Sequence, residues 1–262
     1  MGMVFGKQTV AEPAFTILLD RTNSAAVNCT YELRSYGRRF AAQTKYSGNP
    51  SDDSNETNEP FRALARYIGV FGTPENDGTR PISMTSPVAM TNDSGDKNNG
   101  TPIAMTAPVA MSSDRKGEKL SSGNDKVMKF FLPEEFDDMS KIPKPTNPHV
   151  TIEEIPPSVG AVHRFSGSWS NSIKDEKASC LAKQLVSDMN DGGGDHDDDD
   201  SSKVAKLINE EYVMDNYEFF GFNPPFTIPM FRRNEIYIEL TQAQVQQLLN
   251  KYGNGNNLES AN

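Results

Sequence analysis

Short runs of period-two hydrophobicity alternate along this chain with a few stretches of helical period, and polar segments separate them. Residues 15–19 form a compact apolar run, and residues 29–36 alternate well enough for a strand, with Tyr31 and Leu33 on one face. Residues 38–46 can pair with that strand across Gly37. The spacing predicts a helix over 60–70. Phe61, Leu64, Ala65 and Ile68 recur at i, i+3, i+4 and i+7, Pro60 suits the first turn, and Gly69 with Gly72 ends the pattern. Arg62 and Arg66 sit four apart on a flank of the apolar stripe.

Further on, residues 126–132 read as a strand stopped by Pro133, and 149–155 and 160–165 as two more around the Pro156-Pro157 turn. A second helix begins near Ser172, with Asp175 three residues on as a capping signal, and carries Ala178, Leu181, Ala182, Leu185 and Met189 inward. Residues 212–222 read as an aromatic-rich strand. Ile236, Ile238 and Leu240 alternate with polar or amphipathic partners, and Thr241 with Gln244 caps a short final helix bearing Val245, Leu248 and Leu249. The order is strands, helix, strands, then the same again. It predicts an α+β fold, two similar halves making an antiparallel, twisted sheet or barrel with two main helices outside. Short turns between consecutive strands disfavour a doubly wound parallel sheet.

One phrase occurs twice. Pro81 to Met90 is echoed by Pro102 to Met111 at a constant step of 21, with Pro, Ile, Met, Thr, Pro, Val, Ala and Met identical. Between the copies, residues 92–101 are Asn, Asp, Ser and Gly in the manner of a surface loop. Two β-leaning runs on a polar tether make either a hairpin or a duplicated segment competing for one structural slot. Two copies are too few for a solenoid. If the fold has one slot, the second copy, adjoining the strand at Lys126, is expected to fill it.

Composition narrows the picture. Segments near 47–59, 92–101, 112–126 and 190–202 are polar and poor in apolar groups, so the 262 residues are expected to hold one domain, 1–262, with insertions. A net charge of −10 argues against nucleic acid as a partner, because phosphate binding needs a basic face. The Asp195–Asp200 run, His196 included, follows Gly192-Gly193-Gly194 and reads as a solvated loop rather than a rigid metal site. Cys29 and Cys180 are too few for a disulfide framework and are expected as free thiols. No apolar run is long enough for a membrane span, and the N-terminus lacks a signal-peptide core, so the cytoplasm is the expected location.

Familiar catalytic patterns (GxGxxG, a Walker loop, GxSxG, HExxH, CxxC) are missing from the sequence. Of His149, His163 and His196, none is near another in sequence, and His163, within a predicted strand, reads either as a packed, hydrogen-bonded side chain or as a metal or haem ligand. Met84, Met90, Met105 and Met111 supply soft, adaptable surface, either as core filling or as lining for a flat apolar ligand.

The motifs taken together are collinear with a known family. Tyr31-Glu32-Leu33-Arg34-Ser35-Tyr36-Gly37, Tyr67 to Asn76, Ile103-Ala104-Met105-Thr106-Ala107-Pro108-Val109, Phe165-Ser166-Gly167, Phe222-Asn223-Pro224-Pro225-Phe226 and Arg232 to Ile236 resemble the SOUL haem-binding protein family. The opening Met1 to Lys7 is similar to its cytosolic plant-type members. The resemblance implies a distorted antiparallel β-barrel of two pseudo-repeats, each with a flanking helix. It also implies reversible, non-covalent binding of haem or metal-free protoporphyrin in a hydrophobic groove, with a carrier or buffering role and other haem-handling proteins as partners. No catalytic residue and no protein-bound metal are implied.

Carried over by position, the first helix contributes Phe61, Leu64, Arg66 and Ile68, and the loop before the last strand contributes a wall from about Phe226 to Arg232 and Arg233. The two arginines read equally as anchors to backbone carbonyls or Glu235 and as partners for propionates. Some family members have a proposed histidine ligand in the first strand motif where this chain has Ser35, so no fixed axial ligand is expected from that position. The alternatives are a tetrapyrrole-modifying enzyme that removes the metal, with His163 the histidine to test, and a protein-interaction module built on an amphipathic helix.

Overall fold

The computed structural model describes residues 11–23, 28–47, 58–70, 72–78, 81–83, 88–90, 110–112, 125–168, 170–190, 216–223 and 227–253. Its strands are β1 (Phe15–Asp20), β2 (Glu32–Tyr36), β3 (Arg39–Ser47), β4 (Val88–Met90), β5 (Ala110–Ser112), β6 (Asp125–Phe131), β7 (Val150–Ile155), β8 (Ser158–Phe165), β9 (Glu218–Gly221) and β10 (Asn234–Glu239). They form a ten-stranded sheet in the order β1-β2-β8-β10-β9-β4-β5-β6-β3-β7. Pairing is antiparallel except for a parallel bridge between β4 and β5. The helices are α1 (Asn58–Ile68), α2 (Asn171–Asn190) and α3 (Gln242–Tyr252).

Alternation along the strands sorts the side chains onto two faces. Leu33, Ala161, Phe219, Ile236 and Ile238 point to one side and are covered by Ala178, Leu181, Leu185 and Met189 of α2 with Val245 and Leu248 of α3. On the same side of the other half, Phe40, Ala42, Met128, Phe130 and Val150 meet Phe61, Leu64, Ala65 and Ile68 of α1. The opposite, inner face carries Tyr36, Ala41, Phe131, Val162, Phe220 and Tyr237. Gly160 belongs to this face for a steric reason. A Cβ there would collide with the Tyr237 ring and lie 2.7 Å from the Ile238 carbonyl oxygen.

Both helical stripes read from the sequence are buried as expected, and Thr241 with Gln244 forms a reciprocal capping box on α3. The cap of α2 is different. Ser170 Oγ accepts from the Ile173 N–H at 3.3 Å, while Asp175 instead accepts from the Tyr217 hydroxyl at 2.8 Å. The expected hairpin of 29–36 with 38–46 does not form. β2 pairs with β1 and β8, and β3 pairs with β6 and β7. A two-residue hairpin across Gly37-Arg38 would need a type I′ or II′ turn with positive φ at Gly37. Positive φ occurs instead at Gly69, Gly72 and Gly167.

That departure shapes the sheet. β2 stands second and β3 ninth in the order, yet only Gly37 and Arg38 join them, and Pro156-Pro157 likewise join terminal β7 to third-placed β8. The sheet therefore curls until its two ends approach, and Arg39 Nη2 donates to Ser158 Oγ across the gap at 3.1 Å. Among the described residues no ladder joins β1 to β7, so the barrel expected from the resemblance appears as a curved antiparallel sheet held by these short links. Cys29 and Cys180 are free thiols, as expected; burial pushes the Cys29 thiol up, and its hydrogen bond with Cys180 adds to the effect. The expected insertions fall mostly on residues outside those described.

Candidate functional site

The positions singled out on the first helix divide by face. Leu64 is completely enclosed, Phe61 and Ile68 nearly so, and the Phe61 ring meets Phe130 edge-on with centroids 5.3 Å apart. These three side chains fasten α1 to the sheet. Arg66 stands in the last turn on the exposed side, and Arg62 is held by Glu59 at 3.5 Å.

The second predicted wall is the loop from β9 to β10. Phe226 lies outside the described residues. Beyond it, Pro229–Phe231 form a single 3-10 turn whose side chains point outward: Ile228 is 42 %, Met230 70 % and Phe231 61 % exposed. They account for three of the five large apolar side chains exposed among the described residues. Single exposed apolar groups need no explanation, but three within four residues do. The backbone beneath them is firmly tied. Pro229 O accepts from Gly167 N–H at 2.9 Å and from Arg232 N–H at 3.0 Å, and the Asn234 side chain donates to Gly167 O at 3.0 Å. Gly167 has φ 110°, a left-handed conformation that glycine adopts without strain.

Both anchoring roles left open for the arginine pair are present. Arg232 Nε donates to Thr227 O at 2.8 Å, and burial lowers its pKa. Arg233 Nε donates to Glu235 at 2.8 Å, its Nη1 bonds Glu12 at 2.8 Å, and its guanidinium lies 3.7 Å from the Phe222 ring centroid. Arg233 is thus drawn to the inner face, away from the apolar turn.

That inner face holds a charged network the sequence reading did not pick out. Glu235 is fully buried and accepts from Arg34 Nη1 at 2.8 Å and Nη2 at 3.2 Å, and Arg34 Nε donates to Glu32 at 2.7 Å. Nearby, Lys129 pairs with Glu153 at 2.7 Å. Burial pushes the Glu218 carboxyl up, against the pull of Lys129 and Arg39. The available signal was the phase of the strands. Glu32, Arg34 and Tyr36, like Glu235 and Tyr237, alternate with the core residues Leu33, Ile236 and Ile238. Tight packing leaves little room here. The crevice between Phe15, Arg34, Tyr36, Phe131, Phe220 and Arg233 has a volume of about 10 Å³, enough for roughly one water. A larger cavity of about 310 Å³ lies beside Gly37, Arg38, Phe40, Leu132 and Phe136, at the small end of ligand pockets.

His163 lies on the helix-covered side of β8, stacked on Phe165, and its Nδ1–H donates to Thr30 O at 2.6 Å. Burial lowers its pKa. This is the packed, hydrogen-bonded alternative. Met84 and Met105 lie outside the described residues. The strands of the repeated phrase, β4 and β5, stand in the sheet between β9, which leads into the apolar turn, and β6, on which α1 packs. Among the described residues, no three His, Cys, Asp or Glu side chains converge on a metal position, and no helix is long and apolar enough to cross a membrane.

The structure is thus an α+β fold, a curled antiparallel sheet with its helices on one side, a packed inner face and an outward apolar turn flanked by arginine. The chain belongs to the SOUL heme-binding protein family, whose model matches residues 10–99 and again residues 94–239. No functionally curated protein matches it. Solved structures with a distant likeness include the EcmrR C-terminal domain (10 % identity, 81 % of this chain and 98 % of that one, TM-score 0.40). A hydrolase from Listeria innocua (10 %, 81 % and 92 %, 0.39) and an uncharacterized conserved protein from the same organism (12 %, 81 % and 92 %, 0.42) are similar at the same level. None of these scores is high enough to carry an argument about this chain.

Proposed function

We propose that this protein binds haem or a related tetrapyrrole reversibly and without covalent attachment, as a cytoplasmic carrier or buffer rather than an enzyme. The observation that carries the reading is the apolar turn Ile228–Phe231, held outward by its backbone in a member of this family. A porphyrin is a wide apolar disc with two carboxylates. Covering ~300 Å² of apolar surface is worth several kcal/mol at about 25 cal/mol per Å², before association costs. The inner-face crevice of about 10 Å³ is far too small for such a disc, and in this reading the disc lies in an open groove at the surface. In this reading Met230 and Phe231 form one wall and α1 the other, with the repeated phrase between them. Arg66 and Arg232 meet the propionates, while Phe61, Leu64 and Ile68 hold α1 in place. Phe226 extends the loop wall, and Arg233 acts indirectly by fixing the start of β10. No protein atom is required as a fixed iron ligand. The surrounding polar segments are insertions into one domain.

Porphyrin titration of two variants tests this. Met230→Ser with Phe231→Ser is expected to weaken protoporphyrin binding at least ten-fold, and Arg66→Glu several-fold, with the unfolding midpoint unchanged in both. Wild-type affinity in the Met230→Ser/Phe231→Ser protein would remove the turn from the site.

A further inference from the structure

The two copies of the repeated phrase supply β4 and β5, and their ladders coincide. On β6, Val88, Ala89 and Met90 stand opposite Phe130, Lys129 and Met128. Ser112 stands opposite Val127, the register that would set Met111 opposite Met128. On β9, Met90 stands opposite Phe219, and so does Met111. Ala89 and Ala110 bridge each other, again 21 positions apart. Among the described residues, Ala110 and Met111 therefore have the addresses of Ala89 and Met90 on both neighbouring strands. The N–H and C=O of Phe219 serve one partner strand at a time, and neighbouring strands lie about 4.8 Å apart, so a strand that bonds both β6 and β9 fills the gap.

We infer that the two copies are alternative occupants of one slot, and that the protein exchanges between two folded forms, one with β4 and one with β5 between β6 and β9. The second copy was expected to fill the slot alone; the registers give both copies the same claim. Three observations favour comparable weight. Over the stretch that coincides, the strands read Ala89-Met90 and Ala110-Met111, the same residues in the same order. The family model matches the chain twice, and each match contains one copy. Ile82 is buried and its N–H donates to Ile68 O at 3.1 Å, so the free connections are 84–87 and 91–124 with the first copy in place, and 84–109 and 113–124 with the second. Because closure entropy grows only with the logarithm of length, the two partitions differ in weight by about three- to four-fold, in favour of the first. Exchange alters which segment borders the seam between the α1 half and the apolar-turn half. It does so whether or not a ligand binds there.

Proline substitution separates the two forms, since proline removes a ladder donor and is not accommodated in a central strand. Met90→Pro and Met111→Pro are each expected to move the thermal midpoint of the full chain by no more than about 4 °C, because the other copy takes the slot. The Met90→Pro/Met111→Pro double variant should lose about 6–12 °C. With 13C-methyl methionine, the wild-type Met128 signal should be split between, or averaged between, the positions found in the two single variants. Either single variant falling as far as the double would overturn the proposal. So would a wild-type Met128 signal that coincides with that of one single variant.

Discussion

Replacing Glu235 by alanine should be the most damaging single change on the inner face. Its carboxylate is fully enclosed and holds two guanidiniums at once, Arg34 at 2.8 and 3.2 Å and Arg233 at 2.8 Å. Arg34 is only 4 % exposed, so its charge is not recovered by water. Its remaining anion is Glu32 at 2.7 Å, and that of Arg233 is Glu12 at 2.8 Å. Removing one partner of a buried pair costs about 3–5 kcal/mol, and the surviving carboxylates argue for the lower half of that range. For a domain of this size, the corresponding fall in the thermal midpoint is roughly 6–15 °C. Urea unfolding with an unchanged slope is the assay. Arg34→Met with Glu235→Leu should return most of the loss, because apolar replacement of a buried pair is often neutral or better. A single-variant cost below about 1 kcal/mol, or a double variant worse than either single, would refute the reasoning.

Gly160→Ala should cost about 2–3 kcal/mol in the same assay, since the new methyl group meets the Tyr237 ring and the Ile238 carbonyl; a neutral result would mean that β8 and β10 can part. Stability should decline as pH falls below about 6.5, because the unfolded chain takes up a proton on His163 there and the folded chain, with that pKa lowered by burial, resists it. His163→Gln should flatten that decline, and an unchanged slope would assign it to other groups. Deleting residues 91–111 joins Met90 to Ser112 and leaves one strand with both registers intact, so this protein should fold with an unfolding midpoint within a few degrees of the full chain. Failure to fold would show that both copies are needed together.

What could be read from the sequence was what periodicity controls. Leu64, Leu181, Ile236 and Leu248 are buried because each sits on a stripe whose period matches its element, and the α3 cap follows from Thr241 and Gln244. Pairing partners were not legible where they depend on contacts distant in sequence. Nothing local to Gly37 shows that β2 will bond β8 while β3 bonds β6. The inner face was missed because Arg34 and Glu235 are 201 positions apart, and each alone looks like an ordinary solvated charge. Of the expected site, the β9–β10 loop was singled out by resemblance alone, and its exposed apolar side chains carry no local signal. The outward turn of Met230 and Phe231 depends on the Gly167–Pro229 bond, which joins two loops far apart in the chain.

The central claim is reversible tetrapyrrole binding without a fixed iron ligand, and parallel titration with haem and iron-free protoporphyrin tests it most directly. The account predicts saturable binding of both, with affinities within about ten-fold of each other and loss of both in the Met230→Ser/Phe231→Ser protein. Failure of either compound to saturate the protein would contradict it, as would tight binding confined to haem.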